Sequence, residues 1–306
     1  MILAVGEALA EFMRTAPGAD WTAPGDLRGP FPSGAPAIFA SVAARLGAST
    51  ALCSVVGGDP FGTLIRRRLE HDGVELSGLR TDPAANTACA FVAYADDGSR
   101  QFVFLLRDSA AARLTVADLH DLPERAAWLH VSGATLALSD AMALVAERAV
   151  ERAAAAGARV SLDPNLRPEA LSPDIAARIR RLAASADVLF PSDGELGLLG
   201  LPADAAPIVC TTLGARGIDV AVGDRHELVP AVAARERDPT GAGDTFAAAF
   251  VVATLRGAEP VEAARIGAKL AAVAVEHVGG MEAPVMRLGV RPPMAGPSPP
   301  AATTRA

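Results

Sequence analysis

A chain of 306 residues that is 51% hydrophobic, 21% charged and 4% aromatic can bury a large core, and it reads as an alanine-rich globular protein. The formal net charge of −7 provides no basic footprint, so nucleic acid is excluded as an expected partner. No uncharged apolar segment approaches the ~18 to 20 residues of a membrane span.

The chain opens with ILAVGEALAEF, which lacks the basic start and long apolar stretch of a signal peptide; a cytoplasmic protein is expected. Cys53, Cys89 and Cys210 lie far apart inside apolar runs, which suits buried thiols in a reducing compartment rather than disulfides or a metal site. Ile2 to Val5 is a short apolar run that reads as a buried strand. Thr15 to Pro32 is rich in Pro, Gly and Asp without a sustained period and reads as loop or lid. FPSGAPAIFASVAARLG is a small-residue turn entering a helix that Gly47 closes. Ala51 to Val56 is the next strand, and Gly57, Gly58 and Asp59 lead into a helix around Phe61 to Leu69.

Thr87 to Tyr94 and Arg100 to Arg107 are strand-like and joined by Asp96-Asp97-Gly98-Ser99, a strong hairpin signal that interrupts the βα pattern. After Trp128 the alternation becomes regular: a strand at Leu129 to Gly133, a helix from Ser139 to Ala156, and a strand at Ala158 to Asp163. Strand, helix, strand at this spacing implies a right-handed crossover and a parallel sheet, whose ligands gather at the strands' carboxyl ends. Asp163, Pro164, Asn165 and Arg167 occupy such an end, although Asp-Pro-Asn alone is a common turn. Val188 to Gly200 reads as strand, loop and helix start, and Ile208 to Thr212 as a strand entering the loop Leu213 to Gly217. Ile218 to Val222 and His226 to Pro230 pair around Gly223-Asp224, Ala263 to Val278 is a helix, and Arg291 to Ala306 is a disordered Pro/Ala-rich tail.

The stretch Arg237 to Phe250, RDPTGAGDTFAAAF, is a tight turn feeding a helix. Its start offers the N–H groups of Gly241, Ala242 and Gly243 to an anion, and Asp244 falls in the first turn beside them. An acidic first turn fitted to the dipole is the plain alternative. A carboxylate next to a phosphate cradle makes chemical sense as the base that takes a proton from an attacking hydroxyl. No GxxxxGK[ST] is present, which excludes a Walker-type loop, and no GxGxxG follows a strand.

This motif, with VGGDPFG at Val56 to Gly62, DPNLRP, LGARG and their order, resembles the ribokinase-like (PfkB) carbohydrate kinases over about Ile2 to Pro284. The resemblance implies a three-layer αβα domain over residues 1–290, with a mostly parallel central sheet and a small β lid from about 8–32 and 86–112. It implies ATP-dependent phosphorylation of a sugar or sugar acid, with 2-keto-3-deoxygluconate or fructose foremost. A nucleoside kinase and a non-catalytic binding homologue are the alternatives. Asp244 would be the base and the N–H groups of Gly241 to Gly243 the phosphoryl cradle. Gly34, Ala35, Arg107, Asp163, Asn165 and Arg167 would border the acceptor; Ser192, Thr212, Gly214, Arg216 and Gly217 would border ATP. Glu195 would reach Mg²⁺ through water, or complete a helix capping box with Ser192. Asp238 and Thr240 match positions beside a monovalent cation such as K⁺, and the lid often forms a homodimer contact. Four positions depart from the family's pattern: Ser33 for glycine, Ile38 for a sugar-binding Asn, Ser192 for Asn and Ala268 for Asn.

Overall fold

The computed structural model describes residues 1–16, 18, 21–95, 100–166 and 171–285; Arg167, the hairpin turn 96–99 and the expected tail 291–306 lie outside the described residues. In chain order the elements begin with β1 (Ile2–Val5), β2 (Leu9–Arg14), β3 (Leu27–Ser33), α1 (Ala35–Arg45), β4 (Thr50–Gly57) and α2 (Pro60–Asp72). There follow β5 (Leu79–Asp82), β6 (Ala88–Tyr94), β7 (Arg100–Leu105), α3 (Leu122–Arg125), β8 (Trp128–Ser132), α4 (Gly133–Leu136), α5 (Asp140–Ala155) and β9 (Arg159–Asp163). The chain continues with α6 (Pro173–Ala183), β10 (Val188–Leu189), α7 (Glu195–Leu199), β11 (Ile208–Thr212), β12 (Ile218–Val222), β13 (Arg225–Val229), α8 (Ala242–Leu255) and α9 (Pro260–Val275).

Nine strands form the main sheet in the order β13-β12-β11-β10-β9-β8-β1-β4-β5. All pairs from β11 to β5 are parallel, and β12 and β13 add an antiparallel end. Alternation along β1 sends Ile2 and Ala4 into one apolar layer and Leu3 and Val5 into the other, with all four buried. Burial on both faces is why the segment is a continuous apolar run. The first layer is filled by α1, α8 and α9, with Phe39, Phe246 and Phe250 among its largest side chains. The second is filled mainly by α5 and α6 through Met142, Val145, Ile179 and Leu182. The expected three-layer α/β arrangement is the one observed.

A separate four-stranded sheet, β3-β2-β6-β7, holds both strands of the expected hairpin as β6 and β7, at the place where the lid is expected. One expectation needs correction here: residues 27–33 are a strand and not loop. Gly29, Pro30 and Pro32 hide any strand pattern, yet an edge strand tolerates proline because the missing N–H is not needed by the ladder. Four elements, β5, α6 and the single-turn helices α3 and α4, fall where the sequence reading assigned nothing. Strand β5 is a short, largely polar edge, and α6 is capped by Ser172, whose Oγ accepts the Ile175 N–H at 3.2 Å.

Candidate active site

Helix α8 begins at Ala242 with Gly241 before it in the left-handed region at φ 77°. A Cβ there would lie 3.0 Å from both Cα and O of Gly280, so glycine alone lets the turn and the 279–280 loop meet. The N–H of Ala242 is turned back onto the Pro239 carbonyl at 3.2 Å. Of the three expected anion donors, Gly241 and Gly243 are therefore the two whose N–H groups meet no acceptor among the described residues. Asp244 follows in the first turn, 8% exposed.

Between lid and main sheet lies a cleft of about 930 Å³. Gly34, Ala35, Arg107, Asn165, Thr240, Gly241 and Asp244 all line it, so most acceptor-side expectations converge on one space. Gly34 has φ 105°, and a Cβ on it would stand 2.7 Å from the Glu7 carbonyl oxygen. Arg107 lies just beyond the end of β7 rather than within it. Asp163 ends β9 behind the wall: its Oδ1 accepts the Asn165 N–H at 2.9 Å, and its Oδ2 is 4.0 Å from where a Cβ on Gly243 would stand.

The cleft also contains Glu7, Glu11, Asp59, Arg100 and Asp108, none of which the sequence reading singled out. Glu11 was findable as a carboxylate set among apolar neighbours on β2, a costly position unless it serves something. It is 4% exposed, its Oε2 accepts from Ser33 Oγ at 3.2 Å, and its Oε1 has no partner among the described residues. Burial, with the charge of Asp238 added, pushes its carboxyl up to about 7 against the opposing Ser33 hydrogen bond and Arg100 charge. The Ser33 departure thus supplies a partner to Glu11. The Ile38 departure packs: this buried side chain would meet a Cβ on Gly280 at 2.5 Å, so it cushions the loop against the turn.

Asp238 is 1% exposed and clasps the two loops together. Its Oδ1 accepts from Tyr94 Oη at 2.6 Å and from the Thr240 N–H at 2.9 Å, and its Oδ2 accepts the Gly279 N–H at 2.7 Å. On the other side, Ser192, Thr212, Gly214, Arg216 and Gly217 gather past the ends of β10 and β11. Ser192 bridges to Thr212, whose Oγ1 reaches Ser192 Oγ at 3.5 Å, and Arg216 pairs with Asp193. Glu195 is buried, with Oε1 accepting the Leu166 N–H at 2.6 Å and Oε2 the Ser192 N–H at 2.8 Å. Its carboxylate therefore ties the loop after β9 to the loop after β10, while Ser192 does not itself cap α7. Among the described residues no cluster of three or more His, Cys, Asp or Glu is placed to hold a metal, and no helix is long and apolar enough to cross a membrane.

The sequence profile of the pfkB family of carbohydrate kinases matches residues 1–286. The chain belongs to that family. This pfkB kinase is 34% identical to fructokinase-1 of Zea mays over 268 residues, 82% of each chain. Its fold is ribokinase-like: an Escherichia coli structure of a ribokinase II with ATP and Mg²⁺ superposes with a TM-score of 0.86 at 31% identity, covering 92% of this chain and 94% of that one. A doubly substituted Vibrio cholerae O395 fructokinase with fructose, ADP and potassium ion bound superposes with a TM-score of 0.80 at 29% identity, covering 92% and 94%. The pfkB assignment makes the chain a sugar-phosphorylating enzyme.

Proposed function

We propose that this enzyme transfers the terminal phosphoryl group of ATP to a hydroxyl of a neutral hexose, fructose foremost. The observation that carries the reading is that Gly241 and Asp244 line one acidic cleft, with the N–H groups of Gly241 and Gly243 meeting no acceptor among the described residues. Among the described residues five carboxylates line that cleft, Glu7, Glu11, Asp59, Asp108 and Asp244, against two arginines, Arg100 and Arg107. Such a wall suits a polyol, whose hydroxyls donate to carboxylates, better than a sugar acid, whose own carboxylate it would repel. The fructokinase relatives point the same way.

In this mechanism Asp244 accepts the proton of the attacking hydroxyl. The two glycine N–H groups, at the positive end of α8, hold the negative charge of the transferring group. Mg²⁺ arriving with ATP would offset charge on the phosphates. Asp163 and Asn165 orient the acceptor side, and Ser192 to Gly217 the nucleotide side. Glu195 would meet Mg²⁺ only through water, since its two oxygens already accept backbone N–H groups. A monovalent cation would sit beside Asp238 and Thr240, as the potassium-bound relative suggests. The kinase unit spans residues 1–290, acts in the cytoplasm, where the three free cysteines stay reduced, and dimerises through its lid.

The test is ADP release with fructose, other sugars, 2-keto-3-deoxygluconate and nucleosides, run in potassium and in a bulky organic cation. Fructose should stimulate turnover most, and potassium should raise it. Asp244→Asn should lower it by roughly 10²-fold or more while ATP still binds. No sugar-stimulated turnover by folded protein would sink the reading, and equal rates in the two cations would remove the cation site.

A further inference from the structure

Tyr94 is the single tyrosine of the chain, and it ends β6 of the lid, opposite Arg100 of β7. Its hydroxyl reaches 144 residues along the chain to donate to Asp238 Oδ1 at 2.6 Å. The recipient is no isolated surface group. Asp238 is buried and already receives the N–H of Thr240, at the start of the anion turn, and the N–H of Gly279, in the loop on which Gly241 rests. One carboxylate therefore holds three parts: the turn, the loop packed against it, and the lid.

We propose that Tyr94 is a positioning residue for phosphoryl transfer, a latch that makes the N–H groups of Gly241 and Gly243 fully braced only when the lid is down. Opening the lid withdraws the phenol and leaves a buried carboxylate short of one donor, which weakens its hold on the turn. Closing restores the donor and places Glu11 of β2 near Asp238, a like charge that the phenol and Arg100 help to offset. The lid comes down over an acceptor sugar, so sugar binding and assembly of the phosphoryl cradle become one event. Water, which cannot close the lid, then meets an unbraced turn. The inference rests on the kinase reading and adds a chain-specific coupling between its two halves.

The experiment compares wild type with Tyr94→Phe, which keeps the ring and removes the hydroxyl. With fructose as acceptor, kcat should fall about 10-fold, the worth of one lost hydrogen bond to a charged group, while the KM for ATP stays unchanged. The ratio of ADP to phosphorylated sugar should rise. Ultraviolet resonance Raman of the wild type reads the lone phenol directly: its hydrogen-bond marker should shift when sugar is added and not when ATP is added alone. Wild-type kcat and product ratio in the variant, or a phenol marker indifferent to sugar, overturns the latch. Absent sugar-stimulated ADP release in the wild type would instead remove the kinase reading, and the phenol marker would still judge the latch.

Discussion

Glu11 lies in the cleft beside Asp244 with one oxygen held by Ser33 and the other without a partner among the described residues. Its folded carboxyl titrates at about 7, above the ordinary 4.5. Between those values the folded protein keeps a proton that the unfolded chain releases. Its contribution to stability is full below about 4.5 and is lost as pH rises through about 7, a term on the order of 3 kcal/mol. Glu11→Gln keeps the neutral shape and removes the titration. Melting temperatures from about pH 5 to about pH 9 should therefore fall less in the variant than in the wild type, the span being set by the two titration values. Identical profiles would show that Glu11 is not the titrating group.

Among elements, the junction of the loops after β9 and β10 carries the most consequence. In the proposed mechanism these loops would bring Asn165 to the acceptor and Ser192 to the nucleotide side, and the Glu195 carboxylate is the staple between them. Glu195→Ala would leave the Leu166 and Ser192 N–H groups without their acceptor, costing about 1–3 kcal/mol in urea unfolding if water satisfies one of them. The KM for ATP should rise in the same variant. An unchanged unfolding midpoint would mean that the loops are held by other contacts.

At the scale of the whole molecule the lid has an outward side. Phe102 and Phe104 stack on each other at 5.1 Å and line the cleft, as does Leu105, which is 59% exposed, whereas Val103 is 39% exposed on the edge strand β7 and lies outside the cleft lining. An apolar edge strand invites a second copy. Sedimentation equilibrium should give the mass of two chains for the wild type and of one for Val103→Lys. A wild-type monomer at every concentration would exclude the lid dimer.

Much of this architecture can be read along the chain, because local chemistry writes it there. Two-sided burial makes β1 and β8 continuous apolar runs, glycine and a first-turn acid mark the start of α8, and Ser139 announces α5 by accepting the Met142 N–H. The motif residues Gly34, Arg107, Asn165, Gly241 and Asp244 were legible for the same reason, since each sits at an element's end with a distinctive local signature. Edge strands β3 and β5 were not, because their pattern is set by neighbours on one side only. Nor were Glu11 and Tyr94. Their importance comes from Ser33, Asp238 and Gly279, residues far along the chain that only folding brings within hydrogen-bond reach. The order of residues thus settled the layers and the glycine turn that starts α8, through short-range rules of pattern and turn. Packing of the β3-β2-β6-β7 sheet on the 238–280 loops settled the acidity of the cleft and the hydrogen bond of Tyr94 to Asp238, through contacts that no local rule encodes.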